Sequence, residues 1–389
     1  MLKKIFNKTI LSWRQMSYKK GRLAVAIAGI AFADLLMFLQ LGMKDALFDS
    51  QVRPYDILQG DLFLVNKLSD NLNAIKSFSR DNLYQTAGVD GVDSLSFLYI
   101  GQATWRNPEN QGSRQIFVYG INPNKPAFDL PEVNQQLEQM MLLNNALFDR
   151  AGLLPQIGDV PKLLATENPL NVQVNNYQIK ITGLFTLGSS FSAEGNLITS
   201  DSTFLRLFKR RQANEIDVGI IRLKPNTNIQ FLQAEIQSIL PDNLLVLTKD
   251  EFADRERTYW ANGSPIAYIF GFGVVIGFLV GTVIVYQILY TDVSEHLPEY
   301  ATLKAMGYSD MYFIRVILQE ALILATLGFI PGIFISNGLY IMTQSATFLP
   351  IAMKLTRAIT VLTLTIVMCI VSGAIAIRKL RAADPADIF

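Results

Sequence analysis

Four apolar runs, unevenly spaced, set the terms for this chain. Leu23–Met43 stands alone near the N-terminus, while Ile266–Tyr290, Ala321–Ile341 and Ala358–Ile377 crowd into the last third. Each is long enough to cross a hydrocarbon core, which takes roughly 20 apolar residues as helix. The stretch between the first and second runs is charge-balanced and strand-rich, and it reads as a folded water-soluble domain. Half of the chain is hydrophobic and the net charge is only +1, so no excess of basic residues points to nucleic acid. The single cysteine, Cys369, falls in the last run and excludes an intramolecular disulfide.

Lysines and arginines flanking the spans give the orientation. Lys3, Lys4, Lys8, Arg14, Lys19, Lys20 and Arg22 precede the first span and place the N-terminus in the cytoplasm; Arg378, Lys379 and Arg381 place the tail there as well. Arg255, Arg257, Lys354 and Arg357 count against this arrangement. Ala31-Phe32-Ala33 imitates a signal-peptidase site, but the long basic region before it and the run continuing through Leu35–Leu41 favour a retained membrane helix. The expected fold is an α-helical membrane protein with four transmembrane helices and a large α+β extracytoplasmic domain between helices 1 and 2. Its segments are an amphipathic cytoplasmic helix (1–21), helix 1 (22–44), the domain (45–260), helix 2 (264–290), a cytoplasmic loop (291–312), helix 3 (313–342), an external loop (343–356), helix 4 (357–378) and a cytoplasmic tail (379–389).

Leu2, Ile5, Phe6, Thr9, Ile10 and Trp13 share one helical face, suited to lying on a membrane surface. Within the domain, Asp61–Val65, Phe97–Thr104, Gln115–Tyr119, Gln178–Leu184, Asp217–Leu223 and Leu244–Leu247 are predicted strands. Helices are predicted over Leu72–Arg80, Glu132–Leu143 and Ser202–Phe208. In Asp217–Thr248 a strand–helix–strand unit is legible, with Thr227 and Gln230 as a capping box and Ile229, Leu232, Ile236 and Ile239 as the buried stripe. A second capping box, Thr248 with Glu251, opens a charged helix running to Tyr259 and Trp260, aromatics placed for an interfacial belt. Gly188–Gly195 is the most flexible-looking segment, either a contact loop at the tip of the domain or an ordinary mobile loop.

No G-x-x-x-x-G-K-[ST] motif is present, so ATP hydrolysis is not expected of this chain. His296 is the only histidine, which leaves no His-based triad or histidine-rich metal site, and no pair of carboxylates stands out as catalytic. The cytoplasmic loop is more informative. Pro298 suits a first helical turn, Gly307 a C′ cap, and Glu299 and Lys304 complement the dipole of a short helix between them. Tyr300, Leu303 and Met306/Gly307 mark one face. Periodicity alone fits a connector lying on lipid as well as a docking helix for a soluble partner.

Leu297-Pro298-Glu299-Tyr300-Ala301-Thr302-Leu303-Lys304-Ala305-Met306-Gly307-Tyr308, with Gln319-Glu320-Ala321 following, resembles the cytoplasmic loop of FtsX/MacB-type ABC transporter permeases, the type VII or mechanotransmission group. The ending Arg378-Lys379-Leu380-Arg381-Ala382-Ala383-Asp384-Pro385-Ala386 is similar to theirs, and so is the layout of one helix, a MacB-like domain and three helices. The loop wording together with Leu187–Ser200 most resembles the DevC branch of cyanobacterial exporters. Unlike MacB itself, the chain carries no fused ATPase domain. The resemblance implies a dimeric, multi-pass permease of the bacterial inner membrane that holds no cofactor and pairs with separate ATPase subunits, which bind ATP and Mg. It also implies a periplasmic membrane-fusion adaptor, a TolC-like outer-membrane protein, membrane lipid and an amphiphilic, glycolipid-like cargo. On the matching positions, Glu299, Tyr300, Leu303, Lys304, Met306 and Gly307 would couple to the ATPase. An FtsX-like transmitter controlling a periplasmic enzyme, and a lipoprotein-extracting permease, are the alternatives.

Two features lie inside the spans. Gly273, Gly277 and Gly281 repeat a G-x-x-x-G spacing that permits close helix approach, within one subunit or at a dimer seam. Asp34 sits near the middle of the first span, where a charge costs about 2.5–3.5 kcal/mol on insertion scales. Such a residue is a functional suspect; a neutral carboxyl bonded to Thr282, Gln287 or Asn337 is the structural reading and is preferred.

Overall fold

The computed structural model describes residues 20–382. The amphipathic face Leu2–Trp13 and the Asp384-Pro385 ending lie outside the described residues. The chain divides into two compact units, one formed by Ala46–Ser264 with Ser345–Pro350, the other holding the four long apolar helices. Helix α1 (Lys20–Asp56) is the first of these and runs on past the predicted end at residue 44. Its last turns carry Val52 and Tyr55, both buried in a domain core cluster with Phe63, Phe128 and Phe252, and that packing sustains the helix.

The strands of the first unit are β1 (Leu62–Asn66), β2 (Phe78–Ser79), β3 (Val92–Arg106), β4 (Ser113–Ile121), β5 (Asn145–Asp149) and β6 (Leu170–Val174). They continue with β7 (Tyr177–Phe185), β8 (Asn196–Ser200), β9 (Glu215–Ile216), β10 (Val218–Leu223) and β11 (Leu244–Thr248). Nine of them form one sheet in the order β11-β1-β10-β3-β4-β8-β5-β7-β6, and β6 also pairs with β3 through Trp105 and Val174. The six strands from β3 to β6 thus close on themselves, while β10, β1 and β11 extend from the first half of β3. Strand β3 is long enough, at 15 residues, to serve both parts.

All six predicted strands are present within a few residues. Strands β5 and β8 escape periodicity because every residue in each is buried, which erases the alternation of a half-exposed strand. The predicted helix over Leu72–Arg80 is instead a single 3-10 turn (Leu72–Ala74) capped by Asn71, followed by β2 and by a helix beginning at Arg80 that Ser79 caps. The one over Glu132–Leu143 is broken into Pro131–Asn134 and Leu137–Met140, with the Gln136 side chain between them bonded to the Glu132 and Leu184 carbonyls.

The strand–helix–strand unit forms as expected, with β1 inserted between β10 and β11. Helix α2 (Ile229–Ile239) is capped not by Thr227 but by Asn228, whose side chain accepts from the Phe231 amide; Thr227 bonds back to the Lys224 carbonyl. Only Leu232 and Ile236 of the expected stripe are buried, Ile229 and Ile239 at the helix ends being exposed. The capping box of helix α3 (Lys249–Thr258) forms in both directions, as the Thr248/Glu251 spacing predicts.

In the second unit α1 packs with α4 (Pro265–Glu295), α5 (Leu297–Ala305), α6 (Asp310–Thr347) and α7 (Leu355–Ala382). Helices α1, α4, α6 and α7 are long and apolar enough to cross a membrane. Helix α6 continues unbroken through Pro331 and past the predicted end at residue 342. Ala26, Ile30, Ala33, Leu289, Ala325 and Met368 form the buried seam. Tyr268, Ile269, Phe272, Leu279 and Val283 point outward from α4, as on a helix bathed in lipid.

Candidate coupling helix and membrane core

Helix α5 has local chemistry at both ends. Pro298 occupies the first turn, where a missing N–H costs nothing, and Glu299 sits beside it at the positive end of the dipole. At the other end Gly307 takes φ +96°, the Gly307 amide bonds to the Lys304 carbonyl (3.0 Å), and the Tyr308 amide reaches the Leu303 carbonyl (3.2 Å). That pair of bonds is a Schellman motif, and it turns the chain sharply into α6.

The predicted face is divided. Leu303 is half-buried and packs with Leu297 against a cluster of Val293, Phe313, Ile317 and Ile377, so it fastens α5 to the neighbouring helices. Lys304 is half-buried as well, whereas Glu299, Met306 and Gly307 are exposed. The Tyr300 position lies in the first turns of the helix. Beyond the cap, Met306, Tyr308, Met311, Tyr312 and Arg315 border an open groove of about 380 Å³. The Tyr308 and Tyr312 rings meet there at a tilt of 54°, their centroids 4.9 Å apart. The approach to α5 is held by Arg22 of α1, which bonds to Glu295 and lies 3.6 Å from Asp292 at the end of α4.

Asp34 is fully buried. Its partner is Thr365 of α7 at 2.5 Å, not Thr282, Gln287 or Asn337. The Thr365 hydroxyl also lies 2.8 Å from the Val361 carbonyl and has one proton to give. That proton is shared between the Asp34 carboxyl and the Val361 carbonyl. The three glycines of α4 line the crossing with α1: a Cβ on Gly273 would meet Gln40, one on Gly277 would meet Met37, and one on Gly281 would lie 2.7 Å from the Ala33 methyl. They pack inside this chain.

Two sites were not foreseen from sequence. Glu320 of α6 is buried with neither carboxyl oxygen bonded among the described residues. Arg357 of α7 bonds to Asp45 at 2.6 Å and lies over the Tyr340 ring at 5.3 Å. The only signal for Arg357 in the sequence was its awkward position in the charge count.

The family model for the FtsX-like permease C-terminal domain matches residues 263–385, a range that takes in α4 to α7. This part of the chain is similar to that family. Among solved structures, the periplasmic region of MacB from Actinobacillus actinomycetemcomitans is similar at 14% identity, covering 51% of this chain and 92% of that one, with a TM-score of 0.35. The extracellular domain of the noncanonic ABC-type transporter YknZ from Gram-positive bacteria is similar at 14% identity, covering 49% of this chain and 99% of that one, with a TM-score of 0.33.

The segment leading up to α4 is held in the sheet unit by a buried acid. Glu256 of α3 accepts from the Tyr55 hydroxyl, from Trp260 Nε1 (2.7 Å) and from the Leu72 amide (3.0 Å). Burial pushes its carboxyl above the ordinary value, against the pull of these donors. Trp260 is therefore a buried domain residue and not part of an aromatic belt. The loop Gly188–Gly195 is likewise held. Ser192 accepts from Gln51 and Asn73, Ser189 donates to the Thr347 carbonyl, and Phe191 meets Trp260 edge-on. Asp149 anchors the start of the loop through the Leu187 and Gly188 amides and Asn196. Arg255, counted against the topology, is occupied by the Lys67 and Ser69 carbonyls and Asp70.

Proposed function

We propose that this chain is the permease subunit of an ABC exporter, driven by a separate ATPase that docks on α5 and the groove behind it. The observation that carries the reading is a short helix, started by Pro298 and closed by a Schellman motif at Gly307, that leaves Glu299, Met306 and Tyr308 exposed inside the segment matched by the FtsX-like permease model. A soluble partner that closes on ATP can push on a rigid, well-terminated element, and a frayed loop would absorb the push. Both termini and α5 lie in the cytoplasm, and the sheet unit lies outside the inner membrane. Two such permeases form a homodimer, and ATP with Mg stays in the partner. The cargo is amphiphilic and glycolipid-like, as in the DevC branch, and leaves through a periplasmic adaptor and a TolC-like channel.

The test is affinity purification of the chain in mild detergent, with and without Met306→Glu. A phosphate-loop ATPase and an adaptor should co-purify with the native chain, and only the ATPase should be lost with the variant. Recovery of a cell-wall hydrolase in place of the adaptor would replace export with transmission to a periplasmic enzyme. A sound preparation without any ATPase would defeat the reading.

A further inference from the structure

A small hollow in the sheet unit is lined by Gln59, Ser94, Ser96, Asn124, Lys125 and Arg222, with Leu95 and Pro126. Its floor is the antiparallel pair β3/β10, where Arg222 stands opposite Ser94 and Ile220 opposite Ser96. One wall is the segment around Gln59, the other the turn carrying Asn124, Lys125 and Pro126, and together they enclose about 180 Å³.

The walls are fixed in place. The Gln59 amide bonds to the Ala127 carbonyl (2.8 Å), the Asp61 amide to the Ile221 carbonyl (3.0 Å), and Leu58 bridges to Phe128. The Lys125 amide closes its turn on the Asn122 carbonyl at 2.9 Å. A hollow held this way keeps its shape without a ligand.

Its charges are unmatched. Arg222 is half-buried, yet neither Arg222 nor Lys125 has a hydrogen-bond or ion-pair partner among the described residues. Asp61, the carboxylate on the adjoining segment, is bonded to the Leu223 amide at 2.8 Å. Most arginines of the sheet unit that are comparably covered have found a partner, as Arg211 has in Asp217 and Arg255 in Asp70. The Gln59 side chain adds a third unmatched group: its buried oxygen has no donor. Oxygen and nitrogen of a side-chain amide are interchangeable by a flip, and Gln59 is one of the residues that line the hollow.

We propose that this hollow binds a compact oxyanion, a phosphate or carboxylate group on a small polar ligand. The Arg222 guanidinium supplies the fork that grips two oxygens, Lys125 supplies a second charge from the rim, and Ser94, Ser96, Asn124 and Gln59 bond to the remaining oxygens and any neighbouring hydroxyls. The volume suits a single phosphate or one acidic sugar ring and excludes a polymer or an acyl chain from the interior. This assignment stands apart from the ATPase reading, since it uses none of the permease-domain residues.

The experiment is calorimetric titration of the full chain in detergent with inorganic phosphate, glucuronate and glucose, at fixed ionic strength. Saturable binding of phosphate or of glucuronate is expected, with glucose silent; the preferred anion tells which oxyanion the hollow takes. Arg222→Ala should weaken binding about tenfold or more, as loss of a charge-assisted bidentate contact does, and Arg222→Lys should recover part of it. Lys125→Ala, on an exposed turn that leaves the sheet intact, should weaken binding and steepen no unfolding curve. Binding that survives both variants would mark an adventitious ion, and equal binding of glucose or saturation by neither anion would overturn the proposal.

Discussion

Arg357 Nε and Nη2 both point at one carboxylate oxygen of Asp45, at 3.1 and 2.6 Å. The guanidinium is buried and also donates to the Ala352 carbonyl at 2.9 Å. Asp45 lies on α1 and Arg357 on α7, so the pair links the first and last spans, and Tyr340 of α6 completes the cluster by bonding to the Phe38 carbonyl. An arginine that speaks against the proposed topology when charges are merely counted is thus neutralised within the bundle.

Asp45→Asn should lower stability by about 1–3 kcal/mol, the range for losing hydrogen bonds to a charged group that stays buried. Because Asp45 itself is partly exposed, the loss stays below the 3–5 kcal/mol or so of a fully buried broken pair. Thermal unfolding in detergent measures it. The double variant Asp45→Asn/Arg357→Gln should lose less than the sum of the two single changes; strict additivity would show that the pair is not coupled.

Leu303 and Met306, one turn apart, should part company on substitution. Leu303→Glu puts a charge into the cluster of Val293, Phe313, Ile317 and Ile377 and should cost about 2 kcal/mol or more of stability. Met306→Glu, at an exposed position, should leave the unfolding midpoint within about 0.5 kcal/mol of native while abolishing ATPase recovery. Normal stability for Leu303→Glu would mean that α5 is not fastened as described.

The four spans, the capped α5 and the second capping box of α3 were readable because each rests on local or periodic chemistry: apolar length, Pro298 and Gly307 in their places, Thr248 three residues before Glu251. What escaped depended on distant partners. Strands β5 and β8 are buried on both faces, so their pattern carries no alternation. Thr365 as the partner of Asp34, and Asp45 as the partner of Arg357, are separated by 331 and 312 residues. The inward turn of Leu303 needed α6 and α7 to be in place, which one helix's periodicity does not supply.

Asp34→Asn should be tolerated. Asparagine keeps a hydrogen-bonding group beside Thr365, so insertion and export should stay near native, whereas Asp34→Leu removes the bond between α1 and α7 and leaves the Thr365 hydroxyl only the Val361 carbonyl of its own helix. Export lost in the Asn variant with assembly intact would make Asp34 a working proton site instead of a structural one.

Gly281→Ala should destabilise the bundle by about 1–3 kcal/mol, the cost of overpacking, because the new methyl would meet both Met368 and the Ala33 Cβ. Met368 can swing aside; Ala33 cannot. Gly277→Ala meets Met37 Cγ at 3.1 Å and Leu36 Cβ at 3.4 Å, nothing nearer, and should cost less than about 1 kcal/mol. If both changes left the monomer untouched and altered dimerisation alone, the seam would belong to the dimer.

Glu256 gives a pH signature whose sign follows from its surroundings. Burial raises its folded value above the ordinary glutamate value of about 4.3, so the folded state binds the proton more tightly than the unfolded one. Its contribution to stability is then fully present below about pH 4.3 and is lost as pH rises through the folded value. Unfolding midpoints of the native chain and of Glu256→Gln, followed from about pH 4 to pH 8, isolate this residue, since the other buried carboxyls Asp149 and Asp217 are common to both. The native chain should lose ground to the variant as pH rises. A native chain that gained on the variant instead would mean that Tyr55, Trp260 and the Leu72 amide outweigh burial and hold Glu256 as the carboxylate.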